Sequence, residues 1–454
     1  RRVYLDVTGV PPTPAQIREF IEARGGDRRA RLIDDLLKTP DYGRNWSRFW
    51  REVIQFHASN TAVQQVRFDV LEDWLADQFE KNRPWDEIAA GLITTTGPTD
   101  ENGAANFTAA HAASPVQLAG EASRIFLGVQ IQCAECHDHK TDSWKREQFH
   151  ELAAFFAGGR LQRTVKPMPG VKARFAVTEQ PRARYAMPNL AEPTKTIPVK
   201  PRFFLASSKT SPAETIADGF SPAQLRTLAA SYITGQDNPW FARAYVNRIW
   251  TALMGEGFYD VVDDIGPERE VRGEEILFPL ADQWRDGGYD VRWLFRTILN
   301  TKAYQRKAKA VGQAQLAAVC PSRLRADQIF EALSIALDLP AVGGPGGSPR
   351  KPDGSPSKST QTSVGGTRKA VEAAGLAGSV DKRKAGPVGL RQPFDKLFGS
   401  DPSALPDEVL GTIPQALFLM NGPIVHNRTQ ARPDTPLGGI LARSTNDRQA
   451  LNQL

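Results

Sequence analysis

The chain has 454 residues, of which 41% are hydrophobic and 24% charged. This composition is typical of a folded globular protein and excludes collagen-like chains, bundles of membrane-spanning helices and wholesale disorder. Lysines and arginines number 57 against 51 aspartates and glutamates, a net charge of +6. We interpret this small excess of positive charge as spread along the chain, with its highest density at 350–358 and 382–384. Such a distribution argues against a nucleic-acid-binding protein. It suits binding to an acidic partner or to an anionic surface.

The first 160 residues are predicted to be mostly helical. Thr13 followed by Pro14 is a typical helix start, since threonine caps the first turn and proline tolerates the first helical position. Apolar residues then recur at helical spacing in the segments 17–21, 32–37, 46–54 and 70–79.

A second cap pair, Ser114 and Pro115, opens a helix that leads into two cysteines, and a short helix over Glu147–Phe156 follows them. The character of the sequence changes near residue 160. Prolines recur, and the runs 174–177 and 202–205 are typical of short strands. We therefore predict a small strand-and-loop insert.

Helical patterning resumes after the insert, at Ser221-Pro222. The predicted helices cover 225–233, 240–254, 277–284, 291–304 and 325–337. The segment Val342–Gly366 is rich in glycine, proline, serine and lysine, which is typical of an exposed, mobile linker. Globular patterning returns at 394–398 and 413–420.

These patterns predict a mainly α fold, with a helical N-terminal domain, a small β and loop insert and a helical C-terminal domain. The predicted division has five parts. They are a helical domain at 1–159, a proline-rich insert at 160–220, a helical domain at 221–340, a flexible linker at 341–385, and a C-terminal helical segment at 386–454 that packs on the second domain.

Three aspartates, Asp260, Asp263 and Asp264, follow the run Gly255-Glu256-Gly257. Their spacing lacks the residue order and the terminal glutamate of a calcium-binding loop. We predict a solvated turn here.

One motif carries chemistry: Cys133-Ala134-Glu135-Cys136-His137. Two thiols at this spacing can each add across a vinyl group of one porphyrin, and the adjacent histidine then lies under the iron as an axial ligand. The motif therefore predicts one covalent haem c, attached to Cys133 and Cys136 and ligated by His137.

Other interpretations of the motif stay open. Cys133, Cys136, His150 and either His137 or His139 could supply the four ligands of a zinc site. The two cysteines could instead be a redox-active dithiol or a structural pair. With only one further cysteine in the chain, Cys320, no disulfide framework can be built.

The distal iron ligand has several candidates. His139 is too close to His137 to reach the opposite haem face, so an outer or partner-facing role suits it better. We favour His150, on the helix after the motif, because closing so short a loop costs little entropy. Met187, in the insert, is the next candidate, and an open sixth position is a further possibility.

Several stretches resemble the planctomycete-type cytochrome C family and the domain of unknown function that accompanies it. The first domain's resemblance lies in residues 1–13, Arg124–Gly128, Cys133–His139 and Leu152–Phe156. The second domain's lies in Asn238–Trp250, Gly255–Phe258, Ala303–Arg306 and Gln415–Gly422.

The resemblance implies export from the cytoplasm, to the periplasm or cell envelope, and a covalent haem at the same motif. The resemblance includes Cys133, Cys136, His137 and His139. It does not include His57 or His111, two other candidates for the distal ligand, and both therefore become weaker candidates. Members of the family continue at both ends, so we expect residues beyond both termini of this chain. Its opening residues contain no apolar leader, and an upstream signal or anchor is expected.

Three functions compete. The first is an exported c-type cytochrome-like protein for electron transfer, and the long helical remainder favours a subunit of a larger complex over a small shuttle. The second is a structural or binding subunit of a cell-surface assembly, with a non-haem metal or a disulfide at the motif. The third is a haem peroxidase-like enzyme. We expect an electron-transfer protein rather than an enzyme with its own substrate. Its partners would be redox proteins or complex subunits, not nucleic acid, and any membrane association would come through missing termini or partners.

Overall fold

A computed structural model describes residues 1–58, 66–165, 174–205, 219–309, 316–337, 339, 387–404 and 411–453 of the chain. The chain forms two compact units. The first comprises 1–8, 12–322 and 401–408, and the second comprises 9–11, 323–400 and 409–454. The five-part division predicted from the sequence stays a prediction, and its linker, with the segment Val342–Gly366, lies outside the described residues.

The first unit is built mainly of α-helices, as predicted. Its N-terminal helices are α1 (Arg2–Thr8), α2 (Pro14–Glu22), α3 (Arg28–Leu37), α4 (Pro40–Phe56), α5 (Phe68–Glu80), α6 (Trp85–Thr94), α7 (Ala105–Ala110), α8 (Pro115–Ala122) and α9 (Arg146–Ala154). After the strands come α10 (Pro222–Thr234), α11 (Pro239–Met254), α12 (Glu274–Asp286), α13 (Val291–Asn300) and α14 (Lys302–Gln305). No helix in the described part of the chain is long and apolar enough to cross a bilayer.

The helix starts at Thr13 and Ser221 follow the predicted capping chemistry, whereas Ser114 takes the N-cap position without a side-chain hydrogen bond to its helix. The Thr13 hydroxyl accepts a hydrogen bond from the Gln16 backbone, and the Gln16 side chain accepts one in return. Ser221 and Gln224 form the same reciprocal pair at α10. The predicted helix over 291–304 is interrupted at Thr301, whose hydroxyl accepts from the Tyr304 backbone and starts α14 anew.

The predicted insert contains two small antiparallel sheets. The first has the order β1 (Gly97–Pro98), β3 (Arg174–Glu179) and β2 (Gly159–Val165), and the second pairs β4 (Tyr185–Pro188) with β5 (Thr196–Val199). The run 202–205, predicted as a strand, forms none. Consecutive Phe203 and Phe204 are both buried, which the alternating faces of a strand on one core do not allow.

Stacked aromatic rings lie at the centre of the first unit. Trp50 and Tyr245 stack at 5.5 Å between ring centroids, and Tyr245 stacks on Trp284 at 4.6 Å. Trp85 packs against both Trp50 and Tyr245. Residues before position 100 and residues after position 240 therefore share one core.

The second unit has a small core of its own. Its helices are α15 (Ala326–Ala336), α16 (Pro387–Phe398), α17 (Ile413–Asn421), α18 (Pro423–Thr429), α19 (Pro436–Arg443) and α20 (Asp447–Gln453). Phe394 and Phe398 stack at 4.2 Å, and Phe330 and Phe418 pack edge-on against them. These rings bury the apolar faces of α15, α16 and α17.

Candidate functional site

Of the two motif cysteines, Cys133 lies on a short 3-10 helix, Ile131–Glu135, in the first unit, and Cys136 directly follows that helix. The chain reaches it from α8 through one π-helical turn, Ser123–Leu127. Ile131 and Ala134 are buried and fix the turn to the core, whereas Cys133 and Cys136 are exposed free thiols. The sequence therefore presents both sulfur atoms to solvent from one anchored turn.

His137 follows the turn and is exposed. Its Nδ1 lies 2.7 Å from the carbonyl oxygen of Asp138. A carbonyl only accepts, so Nδ1 carries the ring proton and Nε2 keeps its lone pair when the ring is neutral. Histidines that bind metals usually donate their second ring N–H in this way.

Asp138 fastens the motif to the start of α9. Its carboxylate accepts from the Arg146 backbone N–H at 3.1 Å and from Lys145 Nζ at 2.9 Å. The Lys145 hydrogen bond, with that of the Arg146 backbone, lowers the pKa of Asp138. The residue after His137 is therefore held as a carboxylate at a helix N-terminus, where negative charge is favoured.

His139 has the opposite ring arrangement. Its Nδ1 accepts from the Thr141 backbone N–H at 3.3 Å, so in the neutral ring the proton lies on Nε2. Its backbone N–H donates to the Trp144 carbonyl at 2.9 Å and closes the loop. The outer or partner-facing role predicted for His139 stays a prediction.

His150 is buried on α9, and both of its ring nitrogens have partners. Nε2 donates to the Glu135 carbonyl at 3.0 Å, and Nδ1 accepts from the Tyr185 hydroxyl at 2.7 Å. Burial lowers the pKa of His150 and raises that of Tyr185 to about 12, which favours both neutral forms. Ligation of iron by His150 stays a prediction, and it would require breaking one of these hydrogen bonds.

Met187 is buried on β4, and its sulfur accepts from Arg146 Nη1 at 3.4 Å. Arg146 also donates to the Pro188 carbonyl at 2.7 Å. The structure thus brings Met187 against α9, the helix after the motif that also carries His150. Its role as a distal ligand also stays a prediction.

The segment 263–269 contacts the motif loop before its cysteines. The Ile265 backbone N–H donates to the Gly128 carbonyl at 2.7 Å, and Gln130 donates to Asp263 at 3.1 Å. Gly128 has φ +66°, and a Cβ there would lie 2.8 Å from Ile265 Cγ1. Glycine therefore meets both a backbone and a packing requirement at this contact.

The same segment contacts the loop after its histidines. Arg269 donates to the Thr141 carbonyl at 2.7 Å and to the Thr141 hydroxyl at 3.1 Å. Its guanidinium also pairs with Asp264 at 2.8 Å and lies 3.9 Å from Asp142. The loop that carries the motif is thus held at both ends by one distant stretch of chain; we call residues 263–269 the brace.

A buried ion cluster anchors the brace. Asp263 pairs with Arg124 at 2.6 Å and with Arg248 at 3.4 Å, and Arg124 also pairs with Glu121 at 2.7 Å. Burial alone raises the pKa of Asp263, but the two guanidinium groups outweigh it and hold the pKa at about 2. The predicted solvated turn is therefore wrong for Asp263, although Asp260 is 89% exposed as expected.

The donor set bears on which group the motif can hold. Among the described residues, no three His, Cys, Asp and Glu side chains are arranged to bind a metal ion, so the alternative zinc site is not preassembled. A c-type haem requires less: two reachable thiols and one histidine with Nε2 available. Cys133, Cys136 and His137 meet that requirement.

The chain matches two family models. Residues 1–160 match PSCyt2, described as a protein of unknown function (DUF1549), and residues 226–445 match PSD1, described as a protein of unknown function (DUF1553). These are planctomycete cytochrome C-associated domains, in agreement with the resemblance found in the sequence. No curated protein and no solved structure matches the chain.

The match divides the site between two segments. The PSCyt2 segment holds the motif, His139 and His150, and the PSD1 segment holds the brace. Sequence patterns missed Arg269 and Tyr185, and they assigned Asp263 to a solvated turn. The roles of these residues depend on partners far away in the chain, namely Thr141, His150 and Arg124.

Proposed function

We propose that the chain is a c-type cytochrome-like protein that carries one covalent haem at the PSCyt2 motif and serves in electron transfer. The observation that supports this most directly is the ring of His137. Its Nδ1–H donates to the Asp138 carbonyl, which leaves Nε2 as the ligand atom beside two exposed thiols.

Each residue of the motif has a part in this proposal. Cys133 and Cys136 would hold the haem through two thioether bonds, each formed when one S–H adds across a vinyl group, so that no other co-reactant is consumed. His137 would supply a nitrogen ligand, and Asp138 keeps that histidine's loop fixed to α9. When bound, the haem supplies reversible one-electron chemistry.

The proposal includes two further points. The protein acts outside the cytoplasm, since haem c is attached after export, and it is a subunit of a larger complex. The size of the chain supports the second point. Helices that hold no part of the motif make up most of the described residues of the PSD1 segment, and a small electron shuttle has no use for them.

Mass spectrometry of denatured protein tests the proposal. Expressed behind a secretion leader in a host with working haem-attachment machinery, the chain should gain the mass of one haem. Cys133→Ala combined with Cys136→Ala should remove the gain, and Cys320→Ala should keep it, since Cys320 is buried and burial raises its pKa to about 11. An unmodified chain, in cells that load another c-type cytochrome, would contradict the proposal.

A second candidate, a haem peroxidase-like enzyme, is favoured by one observation. Both candidate distal ligands, His150 and Met187, already have hydrogen-bond partners. An open sixth position would admit a small ligand, so a spectral change on adding carbon monoxide to the reduced protein favours this candidate. An unchanged spectrum favours electron transfer.

A further inference from the structure

The positive charge of the chain is concentrated in the strand insert. Residues 160–165 and 174–202 contain eight lysines and arginines and two glutamates, a net charge of +6, which equals the net charge of the whole chain. The remainder of the chain therefore has no net charge. This corrects the sequence-based interpretation of a spread excess, and we call residues 160–165 and 174–202 the basic insert.

The charged groups of the basic insert face solvent. Each of its lysines and arginines among the described residues is exposed: Arg160, Arg163, Arg174, Arg182, Arg184, Lys195, Lys200 and Arg202. In the described part of the chain, Arg160, Arg163, Arg182 and Arg184 have no carboxylate within ion-pair distance. Arg182 also holds a left-handed backbone, φ +60°, which is unfavourable for a residue with a side chain.

Hydrogen bonds place part of the basic insert beside the motif turn. Arg184 directly precedes Tyr185, whose hydroxyl donates to His150, and His150 donates to the carbonyl of Glu135 between the two cysteines. The side chains of Tyr185 and His150 therefore link β4 to the turn.

Two carboxylates near the motif are compensated by basic side chains, since Asp138 pairs with Lys145 at 2.9 Å and Asp142 lies 3.9 Å from Arg269. Glu135, between the two cysteines, is half-buried and accepts a hydrogen bond from Gln132 at 2.6 Å. The exposed arginines of the basic insert add positive charge on the side of the turn that faces β4. Clustered charge of one sign steers partners of the opposite sign and speeds their association.

We infer that the basic insert is a docking surface for a protein with an acidic face, and that it directs this partner to the motif turn. That the two proteins exchange electrons rests on the proposed function. The link from β4 to the turn through Tyr185 and His150 favours a protein partner, because such a partner must approach the motif, whereas a lipid surface need not.

The first test measures the local potential with protein that carries no haem. In a Cys320→Ala background, Cys133 and Cys136 react with the dianionic disulfide dithiobis-nitrobenzoate and with uncharged dithiodipyridine. We take the ratio of the rate with the dianionic reagent to the rate with the uncharged reagent. A change in the accessibility of the thiols alters both rates alike, so the ratio reports the local electrostatic potential. Arg182→Glu with Arg184→Glu should lower this ratio about threefold or more, since charge reversal close to a site changes its potential strongly.

A matched control reverses the same amount of charge elsewhere. Arg18→Glu with Arg24→Glu, both exposed positions on or just after α2, should leave the ratio unchanged. The inference is wrong if the rate ratio falls equally in both variants, or if it falls in neither. Haem loading plays no part in this measurement, so failure of the proposed function and failure of the docking surface are told apart.

The second test measures binding. A flavodoxin, a small acidic flavoprotein, should bind the chain at low salt, and the charge reversal at Arg182 and Arg184 should weaken that binding about tenfold or more. High salt should have the same effect. If the flavodoxin does not bind, or if only phosphatidylglycerol vesicles bind with this dependence on the two arginines, the protein-docking inference is wrong.

Discussion

Two histidines of the motif loop, two positions apart, hold their ring protons on opposite nitrogens. His137 donates through Nδ1 to a carbonyl, while His139 accepts through Nδ1 from a backbone N–H. The sequence predicted His137 as the axial ligand from its place after Cys136. It could not predict the tautomers, because these depend on how the backbone of 138–141 folds around each ring.

A different kind of histidine lies in the core. His111 is fully buried at the end of α7 and packs edge-on against Phe107 at 5.1 Å, and neither ring nitrogen has a hydrogen-bond partner among the residues that the structure describes. Burial lowers its pKa to about 4, while the ordinary value in an unfolded chain is about 6.5. The folded state therefore needs the neutral ring.

This gives a prediction for the pH dependence of stability. His111 has a lower pKa in the folded state, so the unfolded state takes up its proton first as the pH falls below about 6.5. Stability that is present at pH 7 should fall by about 2 kcal/mol at pH 5, on account of this residue alone. In His111→Met, which has a similar volume, that part of the loss should disappear.

Urea unfolding at both pH values measures the effect, as the difference between variant and parent. The exposed His426, replaced by methionine in the same way, is the control and should keep the parent's pH dependence. Equal pH dependence in His111→Met and the parent would show that this buried ring does not titrate as described.

At the scale of elements, the motif turn owes its position to a segment that is far away in sequence. The caps at Thr13 and Ser221 and most helix positions could be predicted, because capping and apolar spacing are local signals. The brace could not, because the contact between Arg269 and Thr141 joins residues that no sequence pattern relates. The wrong prediction of a strand at 202–205 also results from contacts between residues far apart in the chain. Its two phenylalanines pack on Trp144 and Tyr232, and strand propensity does not take such contacts into account.

Removal of one brace side chain should loosen the motif loop. Arg269→Ala takes away both hydrogen bonds to Thr141, and a loss of about 1 kcal/mol of local stability corresponds to roughly fivefold faster amide exchange. Hydrogen exchange of peptides covering 137–145 measures this. Arg272→Ala removes the ion pairs with Glu256 and Asp260 instead, and should leave these peptides unaffected. Equal exchange in the two variants would mean that the brace does not hold the loop.

At the scale of the whole first unit, the PSCyt2 and PSD1 segments share buried charges. Asp263 of the second segment is the common partner of Arg124 from the first and Arg248 from the second. A mainly α fold was predictable, because periodicity reveals helices. That the PSD1 segment up to residue 322 shares one unit with the PSCyt2 segment was not, since long-range ion pairs leave no trace in a single sequence.

Deleting the shared carboxylate should therefore destabilise the unit strongly. Asp263→Ala leaves two guanidinium groups buried without their partner, and the free energy of unfolding should fall by about 3–5 kcal/mol. Asp260→Ala, three residues earlier and exposed, should change it by less than about 0.5 kcal/mol. Chemical denaturation compares the two, and a small loss in Asp263→Ala would show that the cluster contributes little to holding the segments together.

The aromatic stack at the centre of the unit also constrains the order of events during synthesis. Trp50 and Trp85 are made early, but Tyr245 and Trp284, which pack on them, leave the ribosome much later. At typical rates of elongation, on the order of ten seconds pass between residue 160 and residue 284. During that interval the nascent PSCyt2 segment cannot complete the packing of its core. Its two thiols lie on a turn that lacks its contacts with the brace, because the brace has not yet been translated.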